Sequence, residues 1–556
     1  MKKFIAVLLA SCILLSLAAC GSDGKKSSEG SASSDSSKNI SASATDTDET
    51  GGSNLVRKAG GDEGWWEPYE EPVTITIVNR LRTDLALPDG QDWEDNNWIR
   101  AYKELFNIDV VTEWISDDYD TKLNLAISSQ SLPDMFVANS SQFRQLKENG
   151  MLADLTEVYD ETASQGLKEL MEGDPSVFDT AKTDGKLFGM PTLHYGYLSL
   201  VNYIWLRHDW MEEDGYSSPG TIKELEEILQ GFKQEHDAYG LAVDRTLEHL
   251  MLLAPSFGAY HNIWLEADDE SIAYSSIQPE MKTALETFAR WYQEGLLSQE
   301  FAQKDWDTML EDLITGKTGA WPFYQWAGYA IGTDSVNNNG SEGYLAPYAL
   351  PGEDVVNPVG FPNGGYSVVN KNCEHPEALI KLLNHRYYMF KEAVPNGDYT
   401  VEEVEQFPDH ITGPFYFMNP NDELIQYETI QEALASDGSY EFDDYVTELK
   451  YNNIKSWFDD QNPDGIGYAL QMGSPESAYG IGKEDVAADN FLRSRLWGET
   501  PAYLSETGST LSDLLIEGFT KIIIGAEPVD YFDTLVENWK KAGGDEATRV
   551  MNETYG

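Results

Sequence analysis

The chain opens with an apolar run, turns polar for some forty residues, and only then settles into short periodic segments. Residues 4–17 are almost continuously apolar behind Met1-Lys2-Lys3, a stretch too short to span a bilayer. From Gly21 to about Gly64 apolar side chains nearly vanish. Val73-Thr74-Ile75-Thr76-Ile77-Val78 alternates and is β-branched, which predicts a strand. Trp98, Tyr102, Leu105 and Phe106 recur at helical spacing, and Ile108-Asp109-Val110-Val111-Thr112 predicts a second strand. Tyr119, Leu123, Ala126 and Ile127 mark another helix, stopped by Pro133, and Met135-Phe136-Val137-Ala138 predicts a third strand. This succession implies a parallel sheet with helices on its faces. Ligands bind such sheets beyond the carboxyl ends of the strands, which points at residues 79–84 and 139–141.

Later helices are punctuated by their ends. Thr221-Ile222-Lys223-Glu224 reads as a capping box, followed by the apolar stripe Leu225, Ile228, Leu229 and Phe232. Pro279 and Pro376 can each open a helix. The final predicted helix starts at Asp530, carries Leu535, Val536 and Trp539 inside, and stops at Gly543.

The two lysines, the apolar core and the run Leu17-Ala18-Ala19-Cys20 form a secretory signal, residues 1–19. The cysteine after the cut resembles the lipobox of bacterial lipoproteins, which implies that Cys20 carries lipid and becomes the mature N-terminus. Residues 20–64 then form a flexible tether of roughly 45 residues, because so polar a segment cannot offset its own ordering entropy. Its root-mean-square reach is about 35–40 Å. The expected location is the outer face of the cell membrane, held by lipid alone.

Charge narrows the partners. The sequence has 38 Lys+Arg and 95 Asp+Glu, a formal −57, and loss of Lys2 and Lys3 with the leader makes it −59. Such a chain repels nucleic acid and anionic lipid. Of three cysteines, Cys12 leaves with the leader and Cys20 takes lipid, so Cys373 has no partner for an internal disulfide. Gly316-Lys317-Thr318 ends like a phosphate-binding loop, but Glu311 stands where its first glycine belongs. There is no G-x-S-x-G, H-E-x-x-H or C-x-x-C, and among 95 carboxylates no segment singles out a pair for glycoside hydrolysis.

Several segments, in order, resemble the extracellular solute-binding proteins (family 1) of ABC importers, especially the long lipoprotein branch of Gram-positive bacteria. They are Ser131-Leu132-Pro133-Asp134-Met135-Phe136, Asp184-Gly185-Lys186-Leu187-Phe188-Gly189-Met190-Pro191, Ile204-Trp205-Leu206-Arg207-His208-Asp209-Trp210, Glu294-Gly295-Leu296-Leu297 and His375-Pro376-Glu377-Ala378. The resemblance implies an α/β fold of two lobes, like the periplasmic binding proteins, with a hinge between them. Lobe 1 is expected over residues 65–193 and lobe 2 over 194–358. Residues 359–556 are expected to return to lobe 1 and to supply C-terminal helices shared between lobes. It also implies a monomeric receptor that closes on a carbohydrate, here an oligosaccharide, and docks on the transmembrane subunits of a permease. A peptide or other organic solute is the alternative ligand; a surface glycosidase is the rival from another class.

Aromatic faces match the CH faces of sugar rings, and amides, carboxylates and guanidinium groups match their hydroxyls. The segment from Gly316 to Trp326 resembles the family's sugar-lining region and nominates Trp326, Trp321 and Tyr324. Tyr195 and Tyr366 stand at the two predicted crossings between lobes. Arg82, Asp84 and Asn139 follow the first and third strands. Core packing competes for every ring, and a surface ion pair for Arg82 and Asp84. Arg493, Arg495 and Trp497 form a further basic-aromatic cluster. Asp460, Asn462, Asp464 and Gly465 match the start of a calcium loop, but Gln471 replaces the closing glutamate, so no cofactor is expected and calcium is a weak candidate.

Overall fold

A computed structural model describes residues 56, 64–82, 87–267, 269–408, 413–436, 438–442 and 444–556. The leader, Cys20, most of the tether and Asp84 lie outside these residues.

The alternation at the first predicted strand becomes β1 (Val73–Arg80), with Ile75 and Ile77 buried and Thr74 exposed. It pairs in parallel with β2 (Ile108–Ser116) and with β3 (Met135–Ala138). Register is fixed beside the ladder: Asp134 accepts hydrogen bonds from Thr76 N (2.9 Å) and Thr76 Oγ1 (2.8 Å). Between the strands run α1 (Asn97–Phe106) and α2 (Tyr119–Ser129), and after β3 comes α3 (Ser140–Glu148). The α1 helix is started by Asn96, whose side chain accepts from Trp98 N and Ile99 N. Its apolar face puts Trp98, Tyr102 and Phe106 fully inside. The α2 helix ends at Ser129, short of Pro133, because Gln130 turns left-handed at φ 55. Tyr366–Val369 adds antiparallel to β3, and Met190–Pro191 closes the five-stranded sheet beyond it.

A second sheet has the order Leu345–Ala349, Tyr203–Arg207, Thr318–Phe323, Tyr239–Leu241. Its two central strands are buried at every position, as expected for strands covered on both faces. The helix Ile222–His236 packs on it. Thr221 caps this helix, but the Glu224 carboxylate accepts from Gly220 N (2.8 Å) one residue upstream, so the reciprocal half of the predicted box is displaced. Near the C-terminus, the helix Tyr531–Trp539 runs on through Lys540 and breaks at Gly543, whose φ of 127 is not helical, as its sequence predicts; a further helix, Asp545–Tyr555, follows directly.

Two large cores result. One gathers side chains from residues 65–193 and 366–445, the other from 204–350 and 511–551. A smaller cluster of Tyr427, Ile430, Ile454 and Trp457 is made by helices between residues 422 and 487. The chain leaves the first core at residues 192–202, returns to it at 357–365 and passes from it to the smaller cluster at 413–421, and these segments are tied together. Thr192 N donates to Gly365 O (2.9 Å), and Met418 N donates to Thr192 O (2.7 Å). Asn357–Val359 pairs in parallel with Phe491–Arg493.

Candidate ligand cleft

Parallel pairing brings the carboxyl ends of β1 and β3 to one edge, where a cavity of about 260 Å³ opens. Its walls include Asn79, Arg80, Arg82, Trp93, Asn139 and Tyr416. Asn139 caps α3, accepting from Gln142 N (3.0 Å), and its Nδ2 donates to Asp120 Oδ1 (3.1 Å). The other oxygen of Asp120 takes Arg80 at 2.5 Å. Asn79 is only 2% exposed, and its Oδ1 has no hydrogen-bond partner among the described residues. A buried acceptor in that state calls for a donor from whatever enters the cavity.

The crossing at residues 413–421 supplies the far wall. Along Phe415-Tyr416-Phe417-Met418 the side chains alternate: Phe415 and Phe417 enter the first core, while Tyr416 and Met418 face the cavity. The same two residues also line a second cavity of about 500 Å³, so the two spaces meet at this strip. Tyr195, 41% exposed, lies 2.9 Å from the Tyr416 hydroxyl through its own.

The second cavity is lined by charged side chains of both signs. Lys391 pairs with Asp422 (2.7 Å), Lys450 donates to Gln426 (2.6 Å), and the Glu423 carboxylate accepts from Tyr479. Burial pushes the Glu423 and Asp422 carboxyls up and the Lys450 ammonium down. Its outer side carries Tyr468, whose ring meets Tyr329 edge-on at 4.8 Å. Tyr329 stands one turn along the helix Ala327–Asn339 from Trp326, and both rings are exposed, at 42% and 38%. Trp326 leans on Phe323 (4.4 Å) and Trp306 (6.2 Å). Tyr195, Tyr416 and Tyr468 thus line one cavity, and Tyr416 and Trp93 line the other. Tyr324 faces a separate cavity of about 740 Å³ with Arg245, Glu248 and Asp513; burial first, then the Glu248 charge, pushes its hydroxyl up to about 12.

The nominated residues therefore part company. Trp326, Tyr195, Tyr324, Arg82 and Asn139 reach cavities or solvent. Trp321 does not: it is fully buried and stacked on Phe323 at 3.8 Å, because its strand is covered on both faces. Tyr366 is also enclosed, stacked on Phe143 at 4.1 Å with its hydroxyl on Thr180 (2.8 Å). Asp84 and Cys20 fall outside the described residues. The calcium-like segment is a helix end. Asp460 closes its helix, Gln461 turns left-handed, and Asn462 accepts from Asp464 N (3.3 Å). Gln471 points inward, accepting from Tyr329 (2.8 Å) and donating to Gln325. Among the described residues no group of three or more His, Cys, Asp or Glu could hold a metal ion.

Arg493 is committed to Asp489 (2.6 Å), Arg495 to Glu266 (3.1 Å) and Trp497 to Ser176 O (3.2 Å). Lys317 pairs with Asp312 (3.2 Å) and Thr318 enters a strand, so that loop opens no helix on a phosphate. Trp93, Tyr329, Tyr416 and Tyr468 escaped the sequence reading. Tyr416 had a signal, the period of two through Phe415 and Phe417; Trp93, a single ring in a polar loop, had almost none. Among the described residues no helix is long and apolar enough to cross a membrane.

Comparison with known proteins agrees with this arrangement. The profile of the family described as bacterial extracellular solute-binding protein matches residues 90–385. Lipoprotein LipO of Bacillus subtilis (strain 168) is 23% identical over 504 residues, covering 82% of this chain and 88% of that one. The polygalacturonan/rhamnogalacturonan-binding protein YtcQ of the same organism is 20% identical over 488 residues, covering 82% and 87%. The crystal structure of the alginate-binding protein AlgQ2 without calcium ion shares the two-lobe fold at a TM-score of 0.59 and 17% identity, covering 89% of this chain and 100% of that one.

Proposed function

The chain belongs to the bacterial extracellular solute-binding proteins, receptors of ABC transport rather than enzymes, and from that premise we propose that it captures an oligosaccharide. The proposed lobes are built on the two cores and hinge at residues 192–202, 357–365 and 413–421. Ligand bound against one lobe gains further contacts when the other closes, which shifts the equilibrium to the closed form. That form then docks on the permease. We place the receptor on the outer face of the membrane as a monomer, held by lipid on Cys20 and reaching outward on its tether.

The observation that carries the reading is the cavity at the strand ends. It joins a buried, unpartnered Asn79 acceptor to aromatic walls at Trp93 and Tyr416. Sugar hydroxyls supply the donor, and the CH face of the ring covers the aromatics. The names of YtcQ and AlgQ2, both polysaccharide-binding, support the same ligand class.

A thermal-shift screen against sugars and peptides tests it. Ligand at 100 times its dissociation constant adds about 2.7 kcal/mol, a rise of a few degrees. Small-angle scattering should show compaction with the same ligand, and Trp326→Ala and Tyr416→Ala should abolish both. A response to peptides alone would overturn the carbohydrate reading.

A further inference from the structure

We propose that the ligand site has a second part, between the two large cores beneath the helix Ala502–Ile523, where Trp539 and Asn202 supply donors to uncharged sugar units. The inference rests on the carbohydrate reading above and extends it. A cavity of about 380 Å³ lies there, within the range of small-molecule sites. Ser140 of α3 lines it from the side of the first core, Phe361 from the crossing at 357–365, and Trp264 and Trp539 from the second core. It shares Asn262 and Gly360 with the cavity of about 740 Å³ that Tyr324 faces. One helix walls both, through Leu511 in the smaller cavity and Ser512 and Ile516 in the larger.

Each cavity carries a buried polar group that lacks a partner. Trp539 is 1% exposed and lines the smaller cavity, and its Nε1–H has no acceptor among the described residues. An indole nitrogen only donates, so what it lacks is an acceptor oxygen. Asn202, 3% exposed, stands in the larger cavity, and its Nδ2 likewise has no partner among the described residues. Leaving such donors dry is costly, and an oxygen brought in by a ligand removes that cost.

The walls select which acceptor enters. None of the described residues that line the smaller cavity is charged, although 24% of the chain is. An ion would find no counter-charge there, whereas a hydroxyl or ring oxygen is far less costly to take out of water. Trp539 stacks on Tyr274 at 5.3 Å, and Trp264 lies 4.9 Å from the same ring, an aromatic group suited to the CH face of a sugar. The Tyr274 hydroxyl donates to Asn262 Oδ1 (2.7 Å), which fixes that amide where the two cavities meet and leaves its Nδ2 to donate. In the larger cavity Glu248 and Asp513 can accept from hydroxyls and Arg245 can donate to them. A ligand in this second part touches α3, the crossing and the second core at once, whereas the cavity at the strand ends has no wall from the second core.

Calorimetry on the full chain purified in detergent tests this, with two-unit and six-unit oligomers of xylose, mannose, galactose and glucose as probes. In the series that binds, the six-unit oligomer should be at least about tenfold tighter than the two-unit one, because only the longer chain reaches both parts. Asn202→Leu and Trp539→Phe should each weaken the six-unit oligomer by about threefold to tenfold, the contribution of one hydrogen bond, with circular dichroism unchanged. Asn202→Leu keeps the branched shape of the side chain, so it decides alone should Trp539→Phe fail to fold. If length makes no difference, or if a folded variant binds the six-unit oligomer as tightly as the wild type, water fills these cavities and the proposal fails while the carbohydrate reading stands. If no oligomer binds the wild type, both fall.

Discussion

His385 should make this protein acid-labile by an amount that can be isolated. It lies on the helix Glu377–Lys391, fully buried in the first core. The rings of Trp66, Trp98, Tyr102 and Phe106 surround it edge-on at 5.4–5.9 Å. Neither ring nitrogen has a hydrogen-bond partner among the described residues. Burial alone holds the imidazole at about 3, against about 6.5 in the unfolded chain. The folded state therefore refuses a proton that the unfolded state accepts. Stability is full above about pH 6.5 and is lost as pH falls toward the folded value. At pH 5 the gap is about 1.5 pH units below the unfolded value, which gives a loss of about 2 kcal/mol, and at pH 7.5 almost none. His385→Leu removes the titration at similar volume. Urea unfolding of both proteins at pH 7.5 and 5.0 supplies the test. The wild type should lose about 2 kcal/mol more than the variant between the two conditions, and contributions from other groups, such as His261 held at about 4 by its own burial, cancel in the difference. An equal loss in both proteins would mean that His385 is hydrated or already charged, and the reasoning from burial would be wrong.

Three further outcomes follow from contacts already described. Trp321→Ala should cost about 3–5 kcal/mol in chemical unfolding, because a sealed ring leaves a cavity, whereas the exposed Trp326→Ala should cost under about 1 kcal/mol and act on ligand binding. Gly196→Ala should lower the melting temperature by a few degrees, since Gly196 holds φ 99 and a Cβ there would sit 2.3 Å from Pro420 O in the neighbouring crossing. Lys450→Met should destabilise by about 2–3 kcal/mol at pH 7, as the buried Glu423 and Asp422 carboxyls lose a nearby positive charge that favours their ionised forms, and adding Glu423→Gln should recover much of the loss; a double mutant as unstable as the single would refute that coupling.

The local periods were sufficient for the first three strands and the helices between them. The alternation at residues 73–78, the helical stripe ending at Phe106 and the caps at Thr221 and Pro279 depend on neighbours a few residues away, so each is written in the chain itself. The strand ends at which the sequence places a ligand, after β1 and β3, come together in the structure, where Asn79, Arg80 and Asn139 line one cavity. Which aromatic ring is core and which is cleft was not legible. Trp321 and Trp326 lie five residues apart in one motif, yet one is sealed beneath His249 and Trp306 and the other faces solvent. Tyr366 reads as a crossing residue until Phe143, more than two hundred positions earlier, stacks on it. Tyr416 becomes a cleft wall only because Thr192 and Gly365 tie three distant crossings into one strip. Periodicity fixes which side of an element a residue takes. What lies on that side depends on segments hundreds of residues away, and only the folded chain brings them there.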